Sequence, residues 1–150
     1  MNKKLLIVGV VIVGIGVGYW LISPLFITKR VDESMNDIPQ PSAQTVQTVR
    51  QGTFTGLAGH NGQGTAKLLK TGSQYYVRLE DDFKVTNGPD LFVYFGKDGQ
   101  YVAQARLGSL KGNEGGQNYE VPAGIDPGDY NEVWIWCRAF SVGFAKAVLH

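Results

Sequence analysis

The sequence predicts an all-β domain, an antiparallel β-sandwich, preceded by one N-terminal transmembrane helix and a flexible linker. Three observations lead to this prediction: an uncharged apolar run near the N-terminus, a polar stretch without periodicity after it, and short alternating runs separated by turn residues. The boundaries we expect are 1–30 for the anchor, 31–49 for the linker and 50–150 for the β domain.

The composition excludes several classes of protein. Of 150 residues, 14 are Lys or Arg and 13 are Asp or Glu, and this formal net charge of +1 argues against a nucleic-acid binder. A single cysteine cannot form an internal disulfide, and two histidines cannot build a multi-histidine metal centre. Disulfide-rich toxins and zinc modules are therefore excluded.

Residues 5–28 carry no formal charge and are predicted to cross the lipid bilayer once. At about 1.5 Å per residue, such a helix reaches roughly 36 Å, whereas the hydrocarbon core is about 30 Å thick. A cleaved signal peptide is the alternative, but its apolar core would be only about 7–15 residues long and would precede a small-x-small site, which is not apparent here. Lys3 and Lys4 before the run balance Lys29 and Arg30 after it, so the charges alone do not give the orientation.

The stretch 31–49 has no periodic apolar pattern and contains Pro39 and Pro41. Such a composition is typical of a semi-extended tether, which would lift the following domain from the bilayer.

From residue 50 onward, turn signals recur about every eight to twelve residues, a spacing typical of antiparallel sandwiches and barrels. The runs between them have strand chemistry: GTFTG, TAKLLK, QYYVRLE, DLFVYFG, YVAQARLG, NYEVP, EVWIWCRAF and FAKAVL. In VWIWC, alternation places Val133, Ile135 and Cys137 on one face of a strand and Trp134 and Trp136 on the other.

Three side chains are candidates for chemistry, each with a structural alternative. Cys137 is either a reactive thiol or a small buried hydrophobe. His60 lies in the loop GLAGHNGQG, where it is either a ligand or acid–base group or an ordinary turn residue. Asp90 ends the turn Asn-Gly-Pro-Asp, which local turn chemistry explains. No nucleophile elbow or supported carboxylate pair is present, so the sequence does not favour an enzyme.

Two long segments, NGPDLFVYFG and LGSLKGNEGGQNYEVPAGIDPGDYNEVWIWCRAFSVGFAKAVL, resemble the electron-transfer DM-thirteen domain family, and GTFTGLAGHNGQGTAKLL resembles its opening stretch. The resemblance covers about 50–149. It implies a DOMON-like β-sandwich with a redox role centred on one cysteine, matched here by Cys137. His60, Asp90 and Trp136 match other recurrent positions. Because the family often occurs on secreted or membrane-anchored proteins, the resemblance also implies an extracytoplasmic domain at the cell surface.

The cofactor and the partner stay open at this point. Without a second cysteine, a redox role needs a metal, a haem, a sulfenate or a partner thiol. Copper or haem could be held by Cys137 and His60, and His150 could join only if the C-terminus folds back. The expected partner is a membrane or secreted redox protein. The alternative is a non-catalytic binding or interaction module in which Cys137 is structural.

Overall fold

The structure is a computed structural model that describes residues 2–40 and 45–150. Met1 and the part of the predicted linker at 41–44 lie outside the described residues. A 24-residue helix, α1, spans Lys3–Phe26. Its stretch Lys3–Trp20 has a mean hydropathy of 1.7 and is not buried by the rest of the protein, so the helix is long and apolar enough to cross a membrane. The predicted N-terminal apolar helix is confirmed.

Ten strands follow the helix. They are β1 (Gln47–Gly56), β2 (Gly62–Gln63), β3 (Thr65–Thr71), β4 (Gln74–Leu79), β5 (Lys84–Val85), β6 (Leu91–Lys97), β7 (Gln100–Ser109), β8 (Gln117–Glu120), β9 (Glu132–Cys137) and β10 (Val142–Val148). Eight of them form one sheet in the order β7-β6-β9-β10-β1-β3-β4-β8, and β2 pairs with β5 beside it. All these pairs are antiparallel. The predicted all-β antiparallel class is confirmed.

The large sheet curves until its two edge strands approach each other, so the fold is nearly a barrel. The Lys111 N–H, just beyond β7, donates to the Tyr119 hydroxyl on β8 at 3.0 Å. Because the eight strands follow one continuous order, the sandwich part of the prediction is not confirmed.

One apolar core fills the inside of the curved sheet, and alternation along each strand decides which side chains enter it. On β9, Val133, Ile135 and Cys137 belong to this core, whereas Trp134 joins an aromatic cluster on the outer face. The register between β9 and β10 shifts between Gly143 and Ala145. Phe144 is therefore an extra residue in β10.

The two ends of the barrel are built from different connections. At one end, which we call the proximal end, lie residues 57–64, 80–90, 110–116 and 138–141. At the other, the distal end, lie residues 72–73, 98–99 and 121–131. Short 3-10 turns occur at Met35–Asp37 and, in the last of these connections, at Pro127–Asp129.

Residues 29–38 lie along the outside of the barrel, and we call them the strap. They include the first part of the segment predicted as a linker, 31–49. The Val31 N–H donates to the Glu114 carbonyl at 2.9 Å, and the Glu33 N–H donates to the Gly116 carbonyl at 3.0 Å. Ile38 ends the strap in a small apolar cluster with Leu69 and Tyr76 on the outer face. The strap thus begins at the proximal end of the barrel.

Candidate functional site

Cys137 is the last residue of β9 and lies inside the barrel at its proximal end. It stands opposite Leu91 on β6 and Val142 on β10. Its exposed fraction is 0%. None of the hydrogen bonds found between the described residues involves its sulfur. In the folded state the thiol is therefore packed like a small apolar side chain.

The residue after Cys137 ties this end of β9 to the chain before β6. The Arg138 N–H donates to the Asp90 carbonyl at 3.1 Å, and its side-chain Nε lies 3.2 Å from Asp90 Oδ2. The guanidinium also lies over the Phe92 ring, 3.9 Å from the ring centre. This partly exposed ion pair contributes at most about 1 kcal/mol, and the cation–π contact adds about 0.5–1 kcal/mol. Asp90 thus has a structural partner next to Cys137.

The Asn-Gly-Pro-Asp turn that ends at Asp90 covers the core from the proximal end. Gly88 makes this close approach possible, because a Cβ there would lie 2.8 Å from Cε2 of Phe144 and 3.0 Å from Cδ2 of Leu91. Leu91 is also the strand neighbour of Cys137. The loop therefore packs on the same end of the core that contains Cys137.

His60 packs on the same end of the core. Its imidazole stacks on the Phe144 ring with 3.6 Å between the ring centres and 11° between the planes. The His60 N–H donates to the Leu57 carbonyl at 2.9 Å, which closes the turn after β1. The hydrogen bonds of the described residues include none from the imidazole nitrogens. His60 is half-buried.

The structure brings Cys137, His60 and Asp90 to one end of the barrel but does not join them into a metal site. Within 2–40 and 45–150, no group of three or more His, Cys, Asp or Glu side chains could hold a metal ion. His150 is bound to Gln51 by two backbone hydrogen bonds of 3.0 Å, and this places it beyond the distal end of β10. The cysteine and two histidines that a blue-copper site needs are not assembled. A blue-copper centre at Cys137 does not fit the described side chains.

A surface cavity of about 400 Å³ opens at the proximal end, beside Asp90. Its walls are Ser23, Ile27 and Lys29 from the end of α1 and the chain after it, residues 88–92 and residues 109–113. The volume lies within the range of small-molecule sites, about 300–1,000 Å³. The cavity lies between the end of α1 and the Asn-Gly-Pro-Asp loop.

The outer face of β6, β7 and β9 carries an aromatic cluster that sequence analysis did not identify. Trp136, which is half-buried, stacks on Tyr101 with 3.8 Å between ring centres. Trp134 is buried against the backbone of Gly96 and Gly143, where a Cβ would collide with its indole ring. Alternation predicted that both tryptophans lie on the face opposite Cys137. It could not show the stack, because Tyr101 comes from another strand.

Two charged groups support this aromatic face. Trp134 Nε1 donates to Glu132 Oε2 at 2.8 Å, and Lys146 Nζ lies 2.9 Å from Glu132 Oε1.

Burial raises the pKa of Tyr94, and the nearby guanidinium of Arg106 offsets only part of this effect. Tyr94 therefore stays protonated at neutral pH.

Residues 53–149 match the family described as Electron transfer DM13. The matched range contains every strand except the first residues of β1, together with Cys137, His60 and Asp90. No curated protein and no solved structure matches the chain.

Proposed function

Because the chain belongs to the electron transfer DM13 family, we propose that it is a membrane-tethered, extracytoplasmic domain whose redox role is centred on the thiol of Cys137. The match over 53–149 carries this proposal, since it covers nearly the whole barrel and gives electron transfer as the family's description. Cys137 is the one cysteine of the chain.

The tether is helix α1. Its 24 residues reach about 36 Å, which is enough for a hydrocarbon core of about 30 Å. Most of the large apolar side chains described along it, among them Ile12 and Ile15, are more than half exposed. Lipid is the solvent that such a surface favours.

The chemistry proposed for Cys137 is thiol–disulfide exchange. Its thiolate attacks a disulfide of the partner, so that a bond forms between Cys137 Sγ and one partner sulfur while the other partner sulfur leaves as a thiolate. An external thiolate then releases Cys137, because the chain has no second cysteine to do so. Since the thiol is buried, the exchange takes place in a state where the Arg138 and Asp90 contact has opened.

A second candidate function is a binding or interaction module at the cell surface. The observation that favours it is the complete burial of Cys137 among apolar side chains of the core. In that case the cysteine stabilises the barrel, and the proximal-end cavity beside Asp90 receives the ligand.

One experiment separates the two functions. The full chain in detergent micelles is mixed with an aromatic disulfide reagent, and the released thiolate is measured over time under native conditions and after denaturation. For a redox domain we expect stoichiometric reaction of Cys137 well before global unfolding. Reaction no faster than unfolding, measured in parallel by tryptophan fluorescence, makes Cys137 structural and supports the binding module.

A matched set of variants completes this experiment. Cys137→Ser must abolish the reaction, and Ala147→Ser places the same hydroxyl at another fully buried core position while leaving the thiol intact. Copper and haem are added separately to each chain, and the visible absorption spectrum is recorded. An absorption band that is lost in Cys137→Ser but kept in Ala147→Ser would identify a bound cofactor. The redox chemistry would then be that of the cofactor and not thiol exchange.

A further inference from the structure

We propose that the proximal end of the barrel lies against the bilayer crossed by α1, with the β9–β10 turn Arg138–Ser141 in the lipid headgroup region. The proposal rests on the membrane tether of the proposed function. It adds the orientation of the domain and the surface that contacts lipid.

The first argument is the shortness of the connection between α1 and the barrel. The helix ends at Phe26, and already the Lys29 carbonyl accepts hydrogen bonds from the Asn113 N–H at 2.8 Å and the Glu114 N–H at 3.3 Å. Three residues of extended chain span at most about 11 Å. The 110–116 connection of the proximal end is therefore held close to the membrane surface.

The second argument is that the strap is fastened by charged as well as backbone contacts. Lys111 Nζ lies 2.8 Å from the Glu33 carboxylate, which also accepts the Asn118 N–H at 2.8 Å. Arg78, only 3% exposed, donates from Nη1 to the Glu33 carbonyl at 2.9 Å. Gly115 permits the close approach, because a Cβ there would collide with the Val31 carbonyl. The strap cannot act as a loose tether while these contacts hold.

The third argument comes from strand direction. Because neighbouring strands are antiparallel, the connections 57–64, 80–90, 110–116 and 138–141 all emerge at the end where the strap joins. The cavity walls show the same proximity, since Ser23 and Ile27 of the helix end lie opposite residues 88–92. The β9–β10 turn therefore faces the same side as the helix.

The fourth argument is the chemistry of the β9–β10 turn. Phe140, at 64% exposure, is the most exposed large apolar side chain among the described residues of the barrel. Ser141 has a φ of +50°, which fixes the turn that presents it. Aromatic side chains favour the boundary between headgroups and acyl chains. Lipid is the occupant that this position favours, because the chain itself brings the bilayer to this end.

The orientation defines the class of redox partner. Cys137 and the cavity lie at the proximal end, so a partner that reaches them approaches within the membrane or along its surface. A membrane-embedded oxidoreductase fits this geometry better than a large protein free in solution.

The test measures how close each end of β10 lies to lipid. Phe140→Cys and Val148→Cys introduce exposed labelling sites at opposite ends of this strand. Each full chain is labelled with an environment-sensitive fluorophore and reconstituted into phosphatidylcholine vesicles with nitroxide near the headgroup. The wild-type chain, treated in the same way, measures any labelling of Cys137. We expect strong quenching at position 140 and little or none at position 148.

Two outcomes overturn the proposal in distinguishable ways. If the chain does not float with the vesicles in a density gradient, the tether fails and the orientation fails with it. If the chain floats but position 140 is quenched no more than position 148, the tether stands and the orientation is wrong. In that case, the exposed aromatic turn is free for a protein partner instead.

Discussion

The two hairpin turns of the distal end are shorter than the proximal connections, although the distal end also carries the long connection 121–131. At the distal end, two hairpins turn in two residues each, 72–73 and 98–99, and positive φ angles at Gly72, Asp98 and Gly99 match the twist of the strands. At the proximal end, longer connections fold over the core and carry His60 and Asp90. The distal hairpins are closed by turns of only two residues, whereas the longer proximal connections have enough residues to build a site. The difference illustrates how a rigid scaffold presents functional loops.

The difference in packing between the two ends is tested most directly by making the same substitution at one positive-φ glycine of each end. Gly64→Ala adds a Cβ 2.5 Å from the Phe83 Cα, whereas at Gly99 the nearest heavy atom, Lys146 Nζ, is 3.9 Å away. We expect Gly99→Ala to cost about 1–2 kcal/mol for the left-handed backbone. Gly64→Ala should cost about 3 kcal/mol or more, because overpacking adds about 1–3 kcal/mol.

Urea unfolding of the full chain in micelles, followed by tryptophan fluorescence, measures both losses. Equal losses for Gly64→Ala and Gly99→Ala would show that the proximal connection is not packed as closely as the structure has it.

A second prediction compares buried hydroxyls at two positions along the core. Cys137→Ser and Ala147→Ser each place an oxygen at a fully buried position. Without a partner, a buried hydroxyl costs about 1–3 kcal/mol. We expect both losses to fall in this range by urea unfolding. A loss near zero for Cys137→Ser alone would mean that water reaches the proximal end of the core.

A third prediction concerns the ion pair between Asp90 and Arg138, the residue after Cys137. Asp90→Asn removes the ion pair with Arg138, and we expect less than about 1 kcal/mol of lost stability because the pair is partly exposed. The rate of thiol–disulfide exchange at Cys137 should rise nonetheless, since the proximal end opens more often. Lys84→Gln is the control, because it breaks the exposed ion pair with Glu114 at the same end. If both variants accelerate exchange equally, the Asp90 contact has no special role.

The smallest expected effect is a pH dependence of the strap. Burial raises the pKa of Glu33, but hydrogen bonds from Lys111 and the Asn118 N–H lower it by more, so the net pKa is below its ordinary value of 4.5. A lowered pKa in the folded state means that the contact stabilises the strap above pH 4.5 and is lost as pH falls through the lowered value.

Hydrogen exchange at the amides of Val31 and Glu33 measures this effect. After correction for intrinsic rates, protection should fall between neutral pH and about pH 3. Glu33→Gln should show weaker protection with little pH dependence. A pH response that survives Glu33→Gln would assign the effect to another group.

The sequence predicts those features of the fold that depend on residues close together in the chain. Alternation over a few positions is enough to find the strands and to place Cys137 and Trp134 on opposite faces of β9. The stacking of His60 on Phe144 depends on a register shift in β10, far along the chain, and no local pattern encodes it. The strap was missed for the same reason: its partners lie near residues 111–118, and it has no periodicity of its own. Closure of one sheet into a near-barrel likewise depends on long-range pairing.

The order of the strands in the sheet also determines which strand edges stay unpaired during synthesis. The first long strand, β1, lies between β3 and β10, so one of its two edges has no partner until Val142–Val148 has been synthesised. An unpaired strand edge is a template for association with other chains. During synthesis the strands from β2 to β9 all emerge between β1 and its partner β10. The nascent barrel therefore needs protection along β1 until β10 has emerged.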